Sequence, residues 1–111
     1  MIYETLTYAV DHNVAVITLN RPKVMNALNS QMRAEITDAV GQAGQAARVV
    51  VLTGSGRAFC SGQDLGAEGN FADIDLERTL KDEYVPMLKA ITECPVPTIS
   101  AVNGPAAGAG A

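Results

Sequence analysis

Two stretches of small residues hold most of the chemical potential of this chain: Phe59-Cys60-Ser61-Gly62-Gln63-Asp64-Leu65 and Asn103-Gly104-Pro105-Ala106-Ala107-Gly108-Ala109-Gly110-Ala111. Glycine lets the backbone come close to a bound molecule and adopt dihedrals that other residues avoid. The sequence offers no evident nucleophile with its base, no triad and no metal-ligand cluster. Chemistry without these is still open to an enzyme that holds preorganised backbone N–H groups against an oxygen on which negative charge develops. Three side chains invite other assignments. Cys60 is a potential nucleophile, but nothing in the sequence places a base beside it, and small residues there suit close packing. Asp64 could serve as a general base on chemical grounds. His12, the only histidine, falls in a turn and reads as a solvated turn residue.

The elements before each loop must position it. Ile2 to Val10 mixes β-branched, aromatic and polar residues, Asp11-His12-Asn13 is turn-like, and Val14 to Leu19 is a second apolar run, so a β-hairpin opens the chain. Asn20-Arg21-Pro22 breaks that strand. Ser30 is then the expected cap of an amphipathic helix in which Met32, Ile36, Val40 and Ala43 recur at helical spacing. Its glycine-rich far end, Gly41 to Gln45, is expected to fray into a connection. Val49 to Leu52 is a short continuous apolar run of the kind that suits a buried parallel strand.

The first small-residue loop follows, within Thr53 to Gly69. A second helix carries Leu76, Leu80, Tyr84, Met87, Leu88 and Ile91 on one stripe, with a kink expected at Pro86. That stripe reads as core or as the wall of a pocket. Pro95 and Pro97 stop the helix, and Thr98 to Val102 reads as a strand leading into the second loop, which is expected to begin a helix with its positive end near any bound anion. The order ββ-α-β-α-β defines an α/β fold. In such sheets ligands collect beyond the carboxyl ends of strands, where both loops lie.

Composition narrows the function classes. A chain of 111 residues with 48% hydrophobic and 18% charged residues fits one small soluble domain. The net charge of −4 and the lack of a Lys/Arg run argue against a nucleic-acid partner. Cys60 and Cys94 have neither a CxxC spacing nor the density of a disulfide scaffold, so reduced thiols in a cytoplasm are expected. No apolar run approaches the ~18 residues needed to span a bilayer, and the amino terminus does not look like an export signal. A dinucleotide fingerprint starting at Gly108 would need a glycine beyond Ala111, and Gly54-Ser55-Gly56-Arg57 lacks the ending of a phosphate-binding P-loop.

Three segments, taken together and in order, carry a resemblance over essentially the whole length. They are Asn20-Arg21-Pro22-Lys23 with Asn26-Ala27-Leu28, then Leu52-Thr53-Gly54 through Ala58 to Leu65, and Ala101-Val102-Asn103-Gly104 through Gly108-Ala109-Gly110. With these the chain resembles the crotonase, or enoyl-coenzyme A hydratase/isomerase, family. The resemblance implies that residues 1–111 are the amino-terminal part of a single domain built as a crotonase-like ββα spiral.

It further implies that the backbone N–H groups of Gln63 and Ala109 form an oxyanion hole for a thioester. Many relatives have glycine where this chain has Ala109, a tolerable change because the role uses the backbone. Lys23, Val24 and Ala27 would border the nucleotide half of coenzyme A, with Lys23 either near a phosphate or simply solvated. Gly62, Asp64, Leu65 and Gly108 would complete the binding surface, with Asp64 and Leu65 bordering adenine and pantetheine. Gly66 stands where some relatives carry a basic residue.

Coenzyme A would enter as part of the acyl-CoA substrate, with no permanently bound cofactor and no metal. The full-length form would be a homotrimer or hexamer. Family hydratases carry one catalytic glutamate just after the Gly-Ala-Gly-Ala step and another further on, so the acid/base residues that select the reaction are expected beyond Ala111. The Gly62-Gln63-Asp64-Leu65 loop, residues Leu76 to Tyr84 and the ending Ala106 to Ala111 look like the ring-epoxide isomerase branch of phenylacetate degradation. Hydration of a 2-enoyl thioester is the alternative, and an acyl-CoA-binding fragment without turnover is a non-catalytic one.

Overall fold

The hairpin forms because a two-residue connection can match the twist of its strands when both residues take positive φ. His12 and Asn13 do so, at 50° and 66°. They join β1 (Leu6–Asp11) to β2 (Val14–Leu19), antiparallel, in the register Leu6↔Leu19 to Asp11↔Val14. His12 is solvent-exposed beside Asp11, as expected of a turn residue. The structure, a computed structural model, describes residues 2–65 and 75–111. β1 starts later than its composition suggested. The N–H groups of Glu4 and Thr5 donate to the Glu35 carboxylate at 3.0 and 2.9 Å instead of joining the ladder.

Helix α1 (Ser30–Ala46) crosses from β2 to β3 (Val49–Gly54). Its cap is Asn29, not Ser30: the extended Asn29 accepts the Met32 N–H at 2.8 Å, and Ser30 is already helical. The helix also runs on to Ala46 through both glycines. Gly44 is repaid by close packing, since a Cβ there would lie 2.9 Å from Pro95 Cδ. β2 and β3 pair in parallel from Val14↔Val49 to Leu19↔Gly54. β4 (Thr98–Ser100) pairs in parallel with β3, giving a four-stranded sheet in the order β1-β2-β3-β4. β4 ends before Val102 because the Ala101 carbonyl accepts from Thr53 Oγ1 at 2.8 Å and the Asn103 side chain takes the Gly54 N–H at 3.0 Å.

One face of the sheet builds the core. Ala15, Ile17, Leu19 and Val50 pack with Met32, Ile36, Ala39, Val40 and Ala43 of α1, and with Met87. β3 is parallel as expected but only Val50 in it is fully buried, and β4 is exposed throughout.

The second helical region is a single run of three pieces. α2 (Leu76–Thr79), capped by the Asp75 side chain, leads into a π turn over Leu80–Tyr84 and then α3 (Val85–Thr92). Pro86 does not end the helix. The turn before it widens, so that the Val85 N–H reaches the Leu80 carbonyl five residues back, which relieves the clash a proline ring makes with the preceding turn. Among the described residues no helix is long and apolar enough to cross a membrane.

Candidate active site

The two small-residue loops are layered against each other and against the segment after β2. Asn26 is the tie at the centre. It is fully buried with φ at 57°, accepts the Arg21 N–H through Oδ1 at 2.8 Å, and donates through Nδ2 to the carbonyls of Ser55, Ala58 and Phe59 at 3.0, 3.0 and 3.2 Å. Asn103 makes the matching tie from the other loop, donating to the Gly56 and Ala58 carbonyls, each at 3.2 Å. Gly54 must be a glycine here, since a Cβ would lie 2.6 Å from the Ala58 oxygen.

Two short parallel bridges finish the layering. On one side Leu28 N–H donates to the Gly62 carbonyl at 2.7 Å and Asp64 N–H to the Leu28 carbonyl at 2.9 Å. On the other, Phe59 N–H donates to Pro105 and Ala107 N–H to Cys60, at 3.0 and 3.1 Å. The first bridge has a directional consequence. In a planar trans peptide the N–H points opposite to the C=O, so fixing the Gly62 carbonyl on Leu28 turns the Gln63 N–H away from Leu28. Gly62 itself has φ at 105°, and a Cβ on it would lie 2.9 Å from the Ala107 oxygen and 3.6 Å from the Ala109 nitrogen. The two loops therefore approach each other at Gly62, beside the two residues singled out for their backbone N–H groups. Gly108, with φ at 54°, starts a three-residue 3-10 turn (Gly108–Gly110).

Gln63 and Ala109 meet in the wall of a cavity of about 390 Å³. Leu65, Leu76, Leu80, Tyr84, Met87 and Leu88 make the rest of that wall mostly apolar. The helical stripe is thus divided: Tyr84 and Met87 are buried, while Leu76, Leu80 and Leu88 are about half exposed and face the cavity. Thr79 also lines it, and among the described residues its buried Oγ1 has no hydrogen-bond partner.

The other expected residues have different places. Lys23 and Val24 lie exposed on a 3-10 turn (Pro22–Val24), Ala27 is buried, and none of the three lines the cavity. Asp64 pairs with Arg21 at 2.9 Å, and that arginine also donates to the Ala27 carbonyl at 2.6 Å, so Asp64 helps hold the loop. Burial pushes the Cys60 thiol up, against an opposing hydrogen bond from the Gly62 backbone. The thiol donates to the Asn26 carbonyl at 3.1 Å, which is the environment of an inert cysteine. Gly66 lies outside the described residues. Among those residues no group of three or more His, Cys, Asp or Glu side chains could hold a metal.

A polar cluster behind the cavity escaped the sequence reading. Arg33, fully buried on α1, donates Nε to Glu83 Oε1 at 2.9 Å and Nη1 to the Leu28 carbonyl at 2.9 Å. The same Nη1 reaches Gln63 Oε1 at 3.2 Å, and Nη2 lies 2.8 Å from Glu83 Oε1. The guanidinium stands 4.8 Å from the Tyr84 ring centroid, and the Tyr84 hydroxyl donates to Gln63 Oε1 in a short hydrogen bond. Burial disfavours the charge on Glu83, but hydrogen bonds from Arg33, Ser30 and Arg78, with the Arg33 charge, outweigh it and hold the carboxyl below its ordinary range. A charged residue beside Met32 and three residues before Ile36 was the available signal. Its partners were not available.

Comparison with known proteins places the chain in a family. The enoyl-CoA hydratase/isomerase family profile matches residues 9–111. A probable enoyl-CoA hydratase of Rhodobacter capsulatus is 58% identical over 111 residues, covering 100% of this chain and 43% of that protein. A 1,2-epoxyphenylacetyl-CoA isomerase of Escherichia coli is 38% identical, covering 92% of this chain and 41% of that protein. The crystal structure of an enoyl-CoA hydratase/isomerase from Xanthobacter autotrophicus superposes with a TM-score of 0.87 at 36% identity, covering 98% of this chain and 42% of that one. The chain belongs to the enoyl-CoA hydratase/isomerase family and has the crotonase fold. It spans less than half the length of these relatives.

Proposed function

We propose that this chain is the amino-terminal part of an acyl-CoA thioester enzyme. The thioester oxygen is held between the N–H groups of Gln63 and Ala109, and the negative charge of an enolate formed at the α-carbon is stabilised there. The observation that carries this reading is the shared wall: both residues border one cavity whose remaining surface is mostly apolar and suited to an acyl group. The Leu28–Gly62 hydrogen bond adds a fixed direction for the Gln63 N–H, and preorganised donors of this kind stabilise developing charge without reorganising.

Gly62, Asp64, Leu65 and Gly108 would shape the approach of the pantetheine arm, with Lys23, Val24 and Ala27 along the nucleotide half. Lys23, on the surface, is free to follow a phosphate or to remain solvated. Isomerisation of a ring-epoxide or enoyl thioester is the first reading of the reaction, supported by the likeness to the isomerase of Escherichia coli. Hydration of a 2-enoyl thioester is the second, supported by the 58% identical hydratase relative. A homotrimer or hexamer belongs to the same proposal for the full-length form.

Because the donors are backbone groups, the direct test is Ala109→Pro, which removes one N–H. Loss of one such donor typically costs ~3 kcal/mol, about two orders of magnitude in rate. The full-length protein carrying this substitution is expected to lose turnover of both thioester classes while coenzyme A binding, followed by calorimetry, survives. Full activity in that variant would refute the assignment.

A further inference from the structure

We propose that Arg33 and Tyr84 form a positioning clamp on the side chain of Gln63, and that this clamp sets where the Gln63 backbone N–H stands in the site. The inference rests on the thioester reading above, which uses Gln63 only through its backbone and leaves its side chain without a task.

Among the described residues, two donors reach the oxygen of that side chain. Gln63 Oε1 accepts from Arg33 Nη1 at 3.2 Å and from the Tyr84 hydroxyl. Each donor is held by further contacts. The Arg33 side chain is wholly buried and bound to Glu83, the Leu28 carbonyl and Ser30 Oγ, the last at 3.3 Å. The Tyr84 ring is held against the guanidinium at 4.8 Å. A guanidinium taken out of water is retained only where its charge and its fork of donors are met, and here one of the groups that meets it is the amide of a cavity residue.

The same Arg33 nitrogen that reaches Gln63 also binds the Leu28 carbonyl. Leu28 in turn holds the Gly62 carbonyl through its N–H and the Asp64 N–H through its carbonyl. The peptide bearing the Gln63 N–H is therefore fixed from both ends, at the Gly62 carbonyl and at the tip of its own side chain, and both constraints converge on one buried cation. The π turn at Leu80–Tyr84 supplies two of the partners, Glu83 and Tyr84, from consecutive positions.

The probe is an aryl-2-enoyl-CoA whose absorption moves to longer wavelength when its carbonyl oxygen accepts hydrogen bonds. Tyr84→Phe keeps the ring over Arg33 and removes only the hydroxyl; Gln63→Met keeps the length of the side chain and removes the acceptor. With the clamp operating in the full-length protein, each variant retains about half or less of the spectral shift seen with the unsubstituted full-length protein, and the double variant is no worse than the poorer single one, as expected for groups acting through one contact. Coenzyme A itself should bind within about threefold of the unsubstituted affinity. A purely structural role would lower the melting temperature and leave the bound spectrum unchanged. A full shift in folded Gln63→Met therefore overturns the clamp while leaving the thioester reading in place. Absence of any shift with the unsubstituted full-length protein overturns the thioester reading, and the clamp with it.

Discussion

Glu83 is the residue whose ionisation most directly holds the polar cluster together, since its negative charge strengthens both hydrogen bonds from Arg33 and balances the buried guanidinium. In the folded chain its carboxyl sits below the ordinary value of 4.5, whereas in the unfolded chain it returns toward that value. A group of this kind adds stability that is fully present above about pH 4.5 and is lost as the pH falls through the lower folded value. Glu83→Gln is therefore expected to cost about 1.5–3 kcal/mol at pH 7, the range for hydrogen bonds to charged groups. The gap to the unsubstituted chain should close under acid conditions. Urea midpoints measured for both proteins from neutral pH down to pH 3 check the sign; a gap that widens on acidification would contradict it.

At the scale of the element, α1 tests what a glycine in a helix contributes. Gly41 and Gly44 occupy the same helix three residues apart and face different surroundings. A Cβ at Gly41 meets nothing within 4 Å, whereas one at Gly44 would come within 2.9 Å of Pro95 and 3.3 Å of Cys94 Sγ. Gly41→Ala should raise stability by about 0.5–1 kcal/mol through helix propensity and reduced unfolded-state freedom. Gly44→Ala should gain less than that or destabilise, because the same benefit is spent on displacing the turn after α3. Thermal unfolding of the two variants, followed by circular dichroism, decides the order. The helix from Leu76 to Thr92 makes a related point. Its apolar stripe was visible in the sequence, but which residues face the core and which the cavity follows from the π turn, and a π turn has no periodic signature.

For the molecule as a whole, the sheet has one face packed under α1 and an edge strand, β4, whose Ile99 is 51% exposed. Val102 just beyond it is 58% exposed. Among the described residues no strand pairs with the outer side of β4, and an edge of that kind carrying exposed apolar side chains is a template for association. The isolated chain of 111 residues is expected to self-associate as its concentration rises. Ile99→Lys should reduce that tendency while leaving the unfolding transition of the dilute chain within about 0.5 kcal/mol. Sedimentation velocity over a concentration series measures the first effect and urea unfolding the second.

The sequence by itself determined the element order, the hairpin with its turn within Asp11-His12-Asn13, which the structure narrows to His12-Asn13, the parallel pairing of Val49 to Leu52 and the two small-residue loops. Each of these rests on local chemistry: alternation or continuity of apolar residues, turn residues, and glycines where backbones approach. Local chemistry pointed to Ser30 as the cap of α1, and the structure corrects this to Asn29, whose extended backbone lets its side chain accept the Met32 N–H while Ser30 is already helical. Local chemistry showed that Gln63 lies in a loop of interest but gave its side chain no task, and it left Arg33 as a charge near an apolar stripe. Their meaning depended on tertiary structure, because the groups that meet Arg33 include Ser30 nearby but also Leu28, Gln63, Glu83 and Tyr84, up to 51 residues away in the chain. A guanidinium can be buried only where folding assembles all its partners at once, and no spacing along one segment records that event.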